Sequence, residues 1–155
     1  MKHKTTAALI IAAILLFYAA IAGAQTKPNL SGSWKMNAEK SHFADGGPDA
    51  ILIKIDHKEP VLSEEWTLST PEGERSFQAK YTTDGKETDQ EVMGRTAKTS
   101  AKWDGDSLII EFKTGDGFFK RKITLSADGK TITKVVTHTE GGSGPVEDTV
   151  VFDKQ

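Results

Sequence analysis

The amino-acid sequence predicts an all-β protein, specifically an up-and-down antiparallel β-barrel of eight to ten strands. Short segments rich in Thr, Val, Ile, Phe and Trp alternate polar with apolar residues, Asp-Gly pairs recur between them, and they show no helical apolar period. Asp-Gly suits tight hairpins because both residues tolerate the positive φ of primed turns. A two-sheet β-sandwich is the alternative. The barrel is favoured because closure removes aggregation-prone sheet edges.

The first 24 residues have the parts of a cleavable signal peptide. Two lysines near the start precede an apolar run over residues 7–21, which is too short and too early for a typical membrane span. The run ends in Ala22-Gly23-Ala24, small residues at the positions that signal peptidase reads. We therefore expect cleavage after Ala24 and export of residues 25–155 to the periplasm or the medium. An uncleaved anchor is the alternative.

Composition narrows the classes of site and partner. The chain has no cysteine, which excludes disulfides, thiolate metal sites and a lipid-modified cysteine, so stability must come from a packed core. The formal charge is −2 at pH 7 and becomes −4 once the two lysines of the signal peptide are removed. Because no long basic run is present, nucleic acid is not an expected partner. No membrane span is expected after signal cleavage, and the sequence does not indicate an oligomeric state.

The remaining elements follow from the alternating segments and the breaks between them. Strands are predicted over residues 32–36, 51–58, 62–70, 75–83, 95–103, 107–114, 118–125, 131–139 and 146–153, with a further strand near residues 87–93. The breaks are Glu72-Gly73, Asp84-Gly85, Asp104-Gly105, Asp116-Gly117, Asp128-Gly129 and the Gly-rich residues 141–145. Because these breaks are short, we expect a meander of antiparallel hairpins.

Residues 37–50 form the one long irregular connection of the predicted barrel. Gly46-Gly47-Pro48 interrupts this stretch, whereas Ala38-Glu39-Lys40 permits one helical turn. We expect it to cover one end of the barrel. No linker or shift in composition divides residues 25–155, so a single domain is predicted.

Period-two alternation divides each strand into two faces, of which the more apolar should point inward. The apolar inner set on five of the strands is Ile51, Ile53, Ile55, Leu62, Trp66, Leu68, Phe77, Ala79, Leu108, Ile110 and Phe112. Three polar side chains share these faces, namely His57, Glu64 and Tyr81. Small inner residues leave volume that larger ones would fill, and they are Ala79, Ala97, Thr99 and Ala101. A ligand cavity is therefore plausible beside them.

Two arginines, Arg95 and Arg121, lie in register with apolar inner residues. A buried guanidinium needs a carboxylate, carbonyl groups, water or a ligand anion as its partner. Glu64 and Asp148 are the candidate partners within the protein. Two alternatives follow: the arginines belong to internal salt bridges, or they await the carboxylate of a bound amphiphile.

A family resemblance begins at Gly32-Ser33-Trp34 on the first strand. Gly-x-Trp at this position resembles the signature of lipocalins and fatty-acid-binding proteins, the calycin group. The resemblance implies a barrel around a small apolar ligand, with Trp34 closing one end against an arginine of a late strand, for which Arg121 is the candidate. Fatty-acid-binding proteins place two helices after this strand, for which residues 37–50 are too short, and secreted lipocalins often carry a disulfide, which this chain lacks.

Further stretches extend the resemblance over nearly the whole of residues 25–155. They are Lys40-Ser41-x-Phe43, Tyr81-Thr82-Thr83-Asp84-Gly85-Lys86, Ala101-Lys102-Trp103-Asp104-Gly105-Asp106 and Leu125-Ser126-Ala127-Asp128-Gly129-Lys130-Thr131. In this pattern the chain is similar to small exported bacterial proteins described as lipocalin-like. That group is mostly uncharacterised, so the resemblance implies a fold more than a ligand.

The sequence carries no motif that indicates catalysis. Residues 141–145 carry Pro145 where a nucleophile elbow needs glycine, and Glu64 and Glu65 are adjacent on a strand and so face opposite ways. The histidines show no metal-ligand spacing. We therefore predict no catalytic residue, no metal and no cofactor.

The predicted function is non-catalytic binding of a small hydrophobic or amphiphilic ligand, with a carboxylate as one possible head group, inside the barrel. An exported protein-interaction or inhibitory module, or an enzyme on a barrel scaffold, are the alternatives. The head group is assigned to Arg95 and Arg121 with help from Tyr81. The expected lining of the tail is Phe77, Leu108, Ile110, Phe112 and Phe119.

Overall fold

A computed structural model describes residues 26–92, 95–115, 117–139 and 144–155. The predicted signal peptide lies outside these residues. Ten strands are present: β1 (Gly32–Met36), β2 (Ala50–Lys58), β3 (Val61–Thr70), β4 (Gly73–Thr82), β5 (Thr88–Val92), β6 (Arg95–Asp104), β7 (Ser107–Lys113), β8 (Phe118–Leu125), β9 (Thr131–Thr139) and β10 (Val146–Lys154). A 3₁₀ turn, Ala38–Lys40, lies where one helical turn was expected. The predicted strands are confirmed to within two residues at their ends.

All strands belong to one antiparallel sheet, ordered β4-β3-β2-β1-β10-β9-β8-β7-β6-β5. The first and last strands pair with each other, as in the register Trp34↔Lys154. Each other neighbour in this order is also next along the chain, which confirms the up-and-down meander and argues against two separate sheets. The ring is thus continuous except between its two edges, β4 and β5.

The two edges, which we call the seam, share no backbone ladder. The sheet nevertheless curls until they meet: the Gln90 side chain on β5 donates to the Lys80 carbonyl on β4 at 2.5 Å. At one end of the seam the Gly85 amide donates to the Ala101 carbonyl at 2.8 Å. The barrel is therefore closed in shape, but the expectation that closure removes every free edge is wrong.

Two Asp-Gly breaks, Asp104-Gly105 and Asp128-Gly129, form the predicted tight hairpin turns, whereas Asp84-Gly85 joins β4 and β5, which do not pair, so the hairpin predicted there is wrong. Gly105 between β6 and β7 has φ 58° and Gly129 between β8 and β9 has φ 69°, a region that glycine enters without a Cβ penalty. Asp128 supports its turn by accepting from the Ser126 hydroxyl and the Lys130 amide. Asp116, of a further Asp-Gly pair, lies outside the described residues.

One end of the barrel is sealed. Leu30 is fully buried ahead of β1, and its amide donates to His57 Nδ1 at 3.2 Å. Trp34 is 1% exposed and donates from Nε1 to the Leu30 carbonyl at 3.0 Å. The cation over the Trp34 ring is Lys154, at 5.3 Å from the centroid, so the expectation that Arg121 packs on this tryptophan is wrong. We call this the sealed end.

The other end, which we call the open end, is less completely covered. The segment between the 3₁₀ turn and β2 lies along its rim, and Phe43 packs there against the core. The Ala44 amide of this segment donates to Asp148 at 2.9 Å, and His42 and Thr149 exchange two backbone hydrogen bonds. Residues 37–50 thus lie at one barrel end, and the expectation that they cover this end stays a prediction. Within the described ranges, no helix is long and apolar enough to cross a membrane.

Candidate functional site

A buried carboxylate, Glu64 on β3, lies at the centre of the barrel's polar interior. It is 1% exposed. Its oxygens accept from Lys134 Nζ at 3.0 Å, from Arg121 Nη1 at 3.2 Å and from Trp66 Nε1 at 3.0 Å. We call Glu64, Arg121 and Lys134 the charge cluster.

Strand alternation explains why these side chains converge. Arg121 on β8 lies opposite Ile110, and Lys134 on β9 lies opposite Ile123, so both share a face with fully buried core residues. Glu64 reaches them from β3, across the barrel. The sequence analysis named Glu64 and Arg121 but missed Lys134, although alternation from Ile132 would have placed it inward.

Arg121 makes several contacts within the cluster. Its Nη2 donates to the Tyr81 hydroxyl at 2.7 Å, in addition to the bond from Nη1 to Glu64. Its guanidinium carbon lies 4.8 Å from the ring centre of Phe112 and 5.3 Å from that of Trp66. Its Nε is buried and has no hydrogen-bond partner among the described residues. One donor of this arginine is therefore unused.

The predicted partner Asp148 and the second arginine, Arg95, both lie outside the charge cluster as the structure describes it. Asp148 accepts from the Ala44 amide and lies 3.5 Å from His138 Nε2, so it holds the open-end segment rather than Arg121. Arg95 is the first residue of β6, but its side chain lies outside the described part of the chain. Its assignment to the head group stays a prediction.

Lys134 is the least expected member of the cluster, since its side chain is almost completely buried. Besides Glu64, its surroundings are aromatic: Nζ lies 4.3 Å from the Trp66 ring centre and 5.5 Å from that of Phe152. Such contacts stabilise an ammonium group by about 0.5–2 kcal/mol, which is less than its hydration in water supplies.

The electrostatics of the cluster follow from burial and from these pairs. Burial alone would raise the pKa of Glu64, but the charges of Lys134 and Arg121 and their hydrogen bonds outweigh it and lower that pKa to about 2. Burial lowers the pKa of Lys134 to about 8, against the attraction of Glu64. Burial also raises the pKa of Tyr81 to about 12. At neutral pH the cluster is therefore one carboxylate facing two cations.

The predicted tail-binding residues divide between two environments. Leu108 and Ile110 are fully buried in the core, and Phe112 is 9% exposed. Phe77 is half-buried and stacks on Trp66 with ring centres 5.5 Å apart. Phe119, expected on the inner wall, is instead 38% exposed and stacks on His138, because it is only the second residue of β8 and lies at the open end.

A cleft of about 350 Å³ lies at the seam. It is lined by Ser63, Glu64, Glu65, Gln78, Ala79, Lys80, Gln90 and Glu91. Glu64 is the buried member of this lining, and because its side chain is 0% exposed, the charge cluster lies behind the wall of the cleft. Ala97, Thr99 and Ala101 on β6 are all buried, and Ala97 lies opposite Gln90 in the sheet.

The histidines and carboxylates of the described residues form no group of three that could hold a metal ion. His57 Nδ1 accepts from the Leu30 amide and Nε2 lies 2.9 Å from Glu59, so both ring nitrogens have partners in the sealed end. Glu59 also accepts from Trp103 Nε1 at 2.6 Å. We interpret this network as part of the seal.

No protein-family profile and no curated protein matches the chain. Solved structures do. The fluorescent protein UnaG is similar with 19% identity and a TM-score of 0.60, over 81% of this chain and 96% of that one. Fatty-acid-binding protein 1 of Echinococcus granulosus is similar with 12% identity and a TM-score of 0.59, over 80% and 96%.

The zebrafish ileal bile acid-binding protein, solved with cholic acid, is similar with 18% identity and a TM-score of 0.57, over 81% of this chain and 98% of that one. These likenesses show the calycin-type fold. They match fatty-acid-binding proteins rather than bacterial lipocalin-like proteins in particular. As expected from the length of residues 37–50, this stretch holds a 3₁₀ turn, Ala38–Lys40, and no pair of helices.

Proposed function

We propose that this calycin-type barrel is a non-catalytic binding protein for a small anionic amphiphile, whose acidic group meets the charge cluster. Two of its structural neighbours are a fatty-acid-binding protein and a protein solved with cholic acid, which supports a ligand of this class. Neither of these names describes an enzyme, which supports a non-catalytic role.

The observation that carries the proposal is the surplus positive charge of the charge cluster. Arg121 and Lys134 together bring two positive charges to the single negative charge of Glu64. An unbalanced buried charge is costly, and an entering anion would balance it. The free Nε of Arg121 offers such an anion a donor, and a low-dielectric setting strengthens the bond.

The apolar part of the ligand is assigned to the aromatic side chains around the cluster. Phe112 and Trp66 lie close to the guanidinium, and Phe77 stacks on Trp66. These rings combine apolar area with a defined shape. Phe119 is exposed and is not needed for this assignment.

The test measures ligand affinity and melting temperature together for Arg121→Met and Lys134→Met. A fluorescent fatty acid serves as the probe, and Lys122→Met, an exposed lysine of the same strand, is the matched control. We expect each cluster variant to weaken binding by about 1.5–3 kcal/mol, the range for hydrogen bonds to charged groups, and the control to bind normally.

The competing interpretation is that the cluster is purely an internal salt bridge. It predicts that Arg121→Met lowers the melting temperature, because Glu64 loses a partner, while the affinity for the probe is unchanged. That combination would refute the head-group assignment. Failure of the unmodified protein to bind any anionic amphiphile would refute the proposed function itself.

Export remains a proposal that the signal-like residues 1–24 support. A periplasmic or secreted binding protein would meet its amphiphile outside the cytoplasm. The intact mass of the protein recovered there tests it, and a chain still beginning at Met1 would contradict cleavage after Ala24.

A further inference from the structure

The seam is the weakest part of the barrel wall. Every other pair of neighbouring strands is joined by a backbone ladder, for example ten register pairs between β3 and β4. Among the described residues, β4 and β5 are joined by the Gln90–Lys80 hydrogen bond, and the Gly85–Ala101 hydrogen bond and the Asp84–Lys102 bridge lie at the sealed-end limit of the seam. Even the short ladder between β1 and β10 has three register pairs, so separating β4 from β5 breaks fewer backbone hydrogen bonds than parting two laddered strands.

A surface cleft lies at the seam, in front of the charge cluster. The cleft of about 350 Å³ is lined by exposed side chains such as Lys80 and Glu91 and by Glu64, whose side chain is itself 0% exposed. The strands behind the cleft carry small residues: Ala79 is opposite Glu64 in the sheet, and Ala97 is opposite Gln90. Displacement of Gln90 would therefore open a short path from the cleft to the cluster.

The sealed end of the barrel is better obstructed than the seam. It is filled by Leu30 and Trp34, which are 0% and 1% exposed. At the open end, the segment that carries Phe43 lies along the rim and is held by the Ala44–Asp148 bond and by the paired backbone bonds of His42. A ligand entering at the sealed end would have to displace a packed tryptophan, and one entering past the open-end segment would have to displace Phe43 or break these bonds.

We propose that the seam between β4 and β5 is the entrance through which a ligand reaches the charge cluster. This inference rests on the proposed function for its ligand but on geometry for its path. Lys80 lies on the rim of the cleft, where its ammonium group can attract an approaching anion. The carboxylate of Glu65, also on the rim, lies 3.9 Å from Lys54, so its negative charge is partly compensated. The hydrogen bond from the Gln90 side chain to the Lys80 carbonyl holds this entrance closed.

The first test needs no ligand and uses the absence of native cysteine. A single Ala97→Cys reporter behind the seam is reacted with iodoacetamide, alone and combined with Gln90→Ala or Asp148→Ala. We expect Gln90→Ala to speed the modification by at least about fivefold, since local opening of the seam becomes easier, and Asp148→Ala to leave it unchanged. If Ala97→Cys fails to fold, the half-buried Ala79→Cys replaces it.

The second test closes the entrance. Lys80→Cys/Gln90→Cys is linked by a short bis-maleimide, and uptake of a fluorescent fatty acid is followed by stopped flow, with the unlinked double variant as control. We expect the link to slow uptake by at least about tenfold, as for any association gated by a conformational change. The matched lock of the open end, Ala44→Cys/Asp148→Cys with the same linker, should leave the rate unchanged.

The outcomes separate the two proposals. If the open-end lock slows uptake while the seam lock does not, or if Asp148→Ala rather than Gln90→Ala speeds thiol modification, the seam is not the entrance. If no fatty acid binds to the unmodified protein, the proposed function fails, and the thiol rates alone then support or overturn the path.

Discussion

Glu64 links three strands in the barrel interior, because donors from β3, β8 and β9 converge on its two carboxylate oxygens. Removing it would leave Arg121 and Lys134 buried without a counter-charge. Loss of one partner from a buried pair typically costs about 3–5 kcal/mol. Removing Lys134 instead leaves a balanced Glu64–Arg121 pair. Glu64 is therefore a structural residue, and Lys134 is the more dispensable member.

The buried pKa values predict how stability depends on pH. The folded pKa of Lys134, about 8, lies below its ordinary 10.5, so the unfolded chain binds this proton more tightly and the free energy of unfolding rises between about pH 8 and 10. Above pH 10 the gain is offset, because the pKa of Tyr81, about 12 in the folded state, is 10 when unfolded. Chemical denaturation at pH 7.5 and 9.5 measures the rise.

Lys134→Met is the matched control for this pH dependence. It should abolish the alkaline rise while keeping the acid loss, which occurs as pH falls from about 4.5 toward the folded pKa of Glu64, about 2, although the altered cluster shifts its exact range. An alkaline rise of equal size in both proteins would show that other groups cause it.

The sequence predicted this site in part, for reasons visible at particular residues. Alternation gave the inward register of Glu64, Tyr81 and Arg121, and the three are hydrogen-bonded to one another through the guanidinium. Lys134 was missed because a lysine among Thr and Val residues suggests an outer face. The exposure of Phe119 was missed because alternation indicates a face but not the depth at which the barrel ends.

At the scale of elements, the strands were more predictable than their closure. Asp-Gly pairs and alternation are local signals, and they predicted the strands and the 3₁₀ turn closely. The seam depends on the curl of the whole sheet, which no local pattern records. Once the structure shows β4 to be an edge strand, its exposed polar residues, such as Glu74, Ser76 and Gln78, can be understood, since charged and polar side chains at an edge discourage pairing with other chains.

The open-end segment offers a test of element packing at Gly47. A Cβ at this position would clash with the Phe43 ring, whereas a Cβ at Gly115 would meet nothing within 4 Å. Gly47→Ala should therefore displace Phe43 and lower the free energy of unfolding by about 1–3 kcal/mol. Gly115→Ala should change it by less than about 1 kcal/mol. Equal effects in urea denaturation would mean that Phe43 does not hold this segment to the core.

For the whole molecule, burial is graded along the barrel axis. Leu30, Trp34 and Leu62 at the sealed end are almost completely inaccessible, while the first residues of β4 and the last residues of β9 are exposed or half-buried. A core concentrated at one end stabilises the barrel. The less filled half then retains the freedom to admit a ligand, which links the packing to the proposed function.

This gradient predicts the pattern of amide hydrogen exchange. Amides of β1, β2 and β10 near the sealed end should exchange only through global unfolding, because these strands pair on both sides and cover Trp34. Amides of β4 and β5 should exchange faster, since each strand lacks a ladder on its seam side. An anionic amphiphile should slow exchange at the seam strands more than at the sealed end, measured by mass spectrometry of peptides from both regions. Uniform protection along the barrel, with or without the ligand, would contradict both the graded stability and the seam as its moving part.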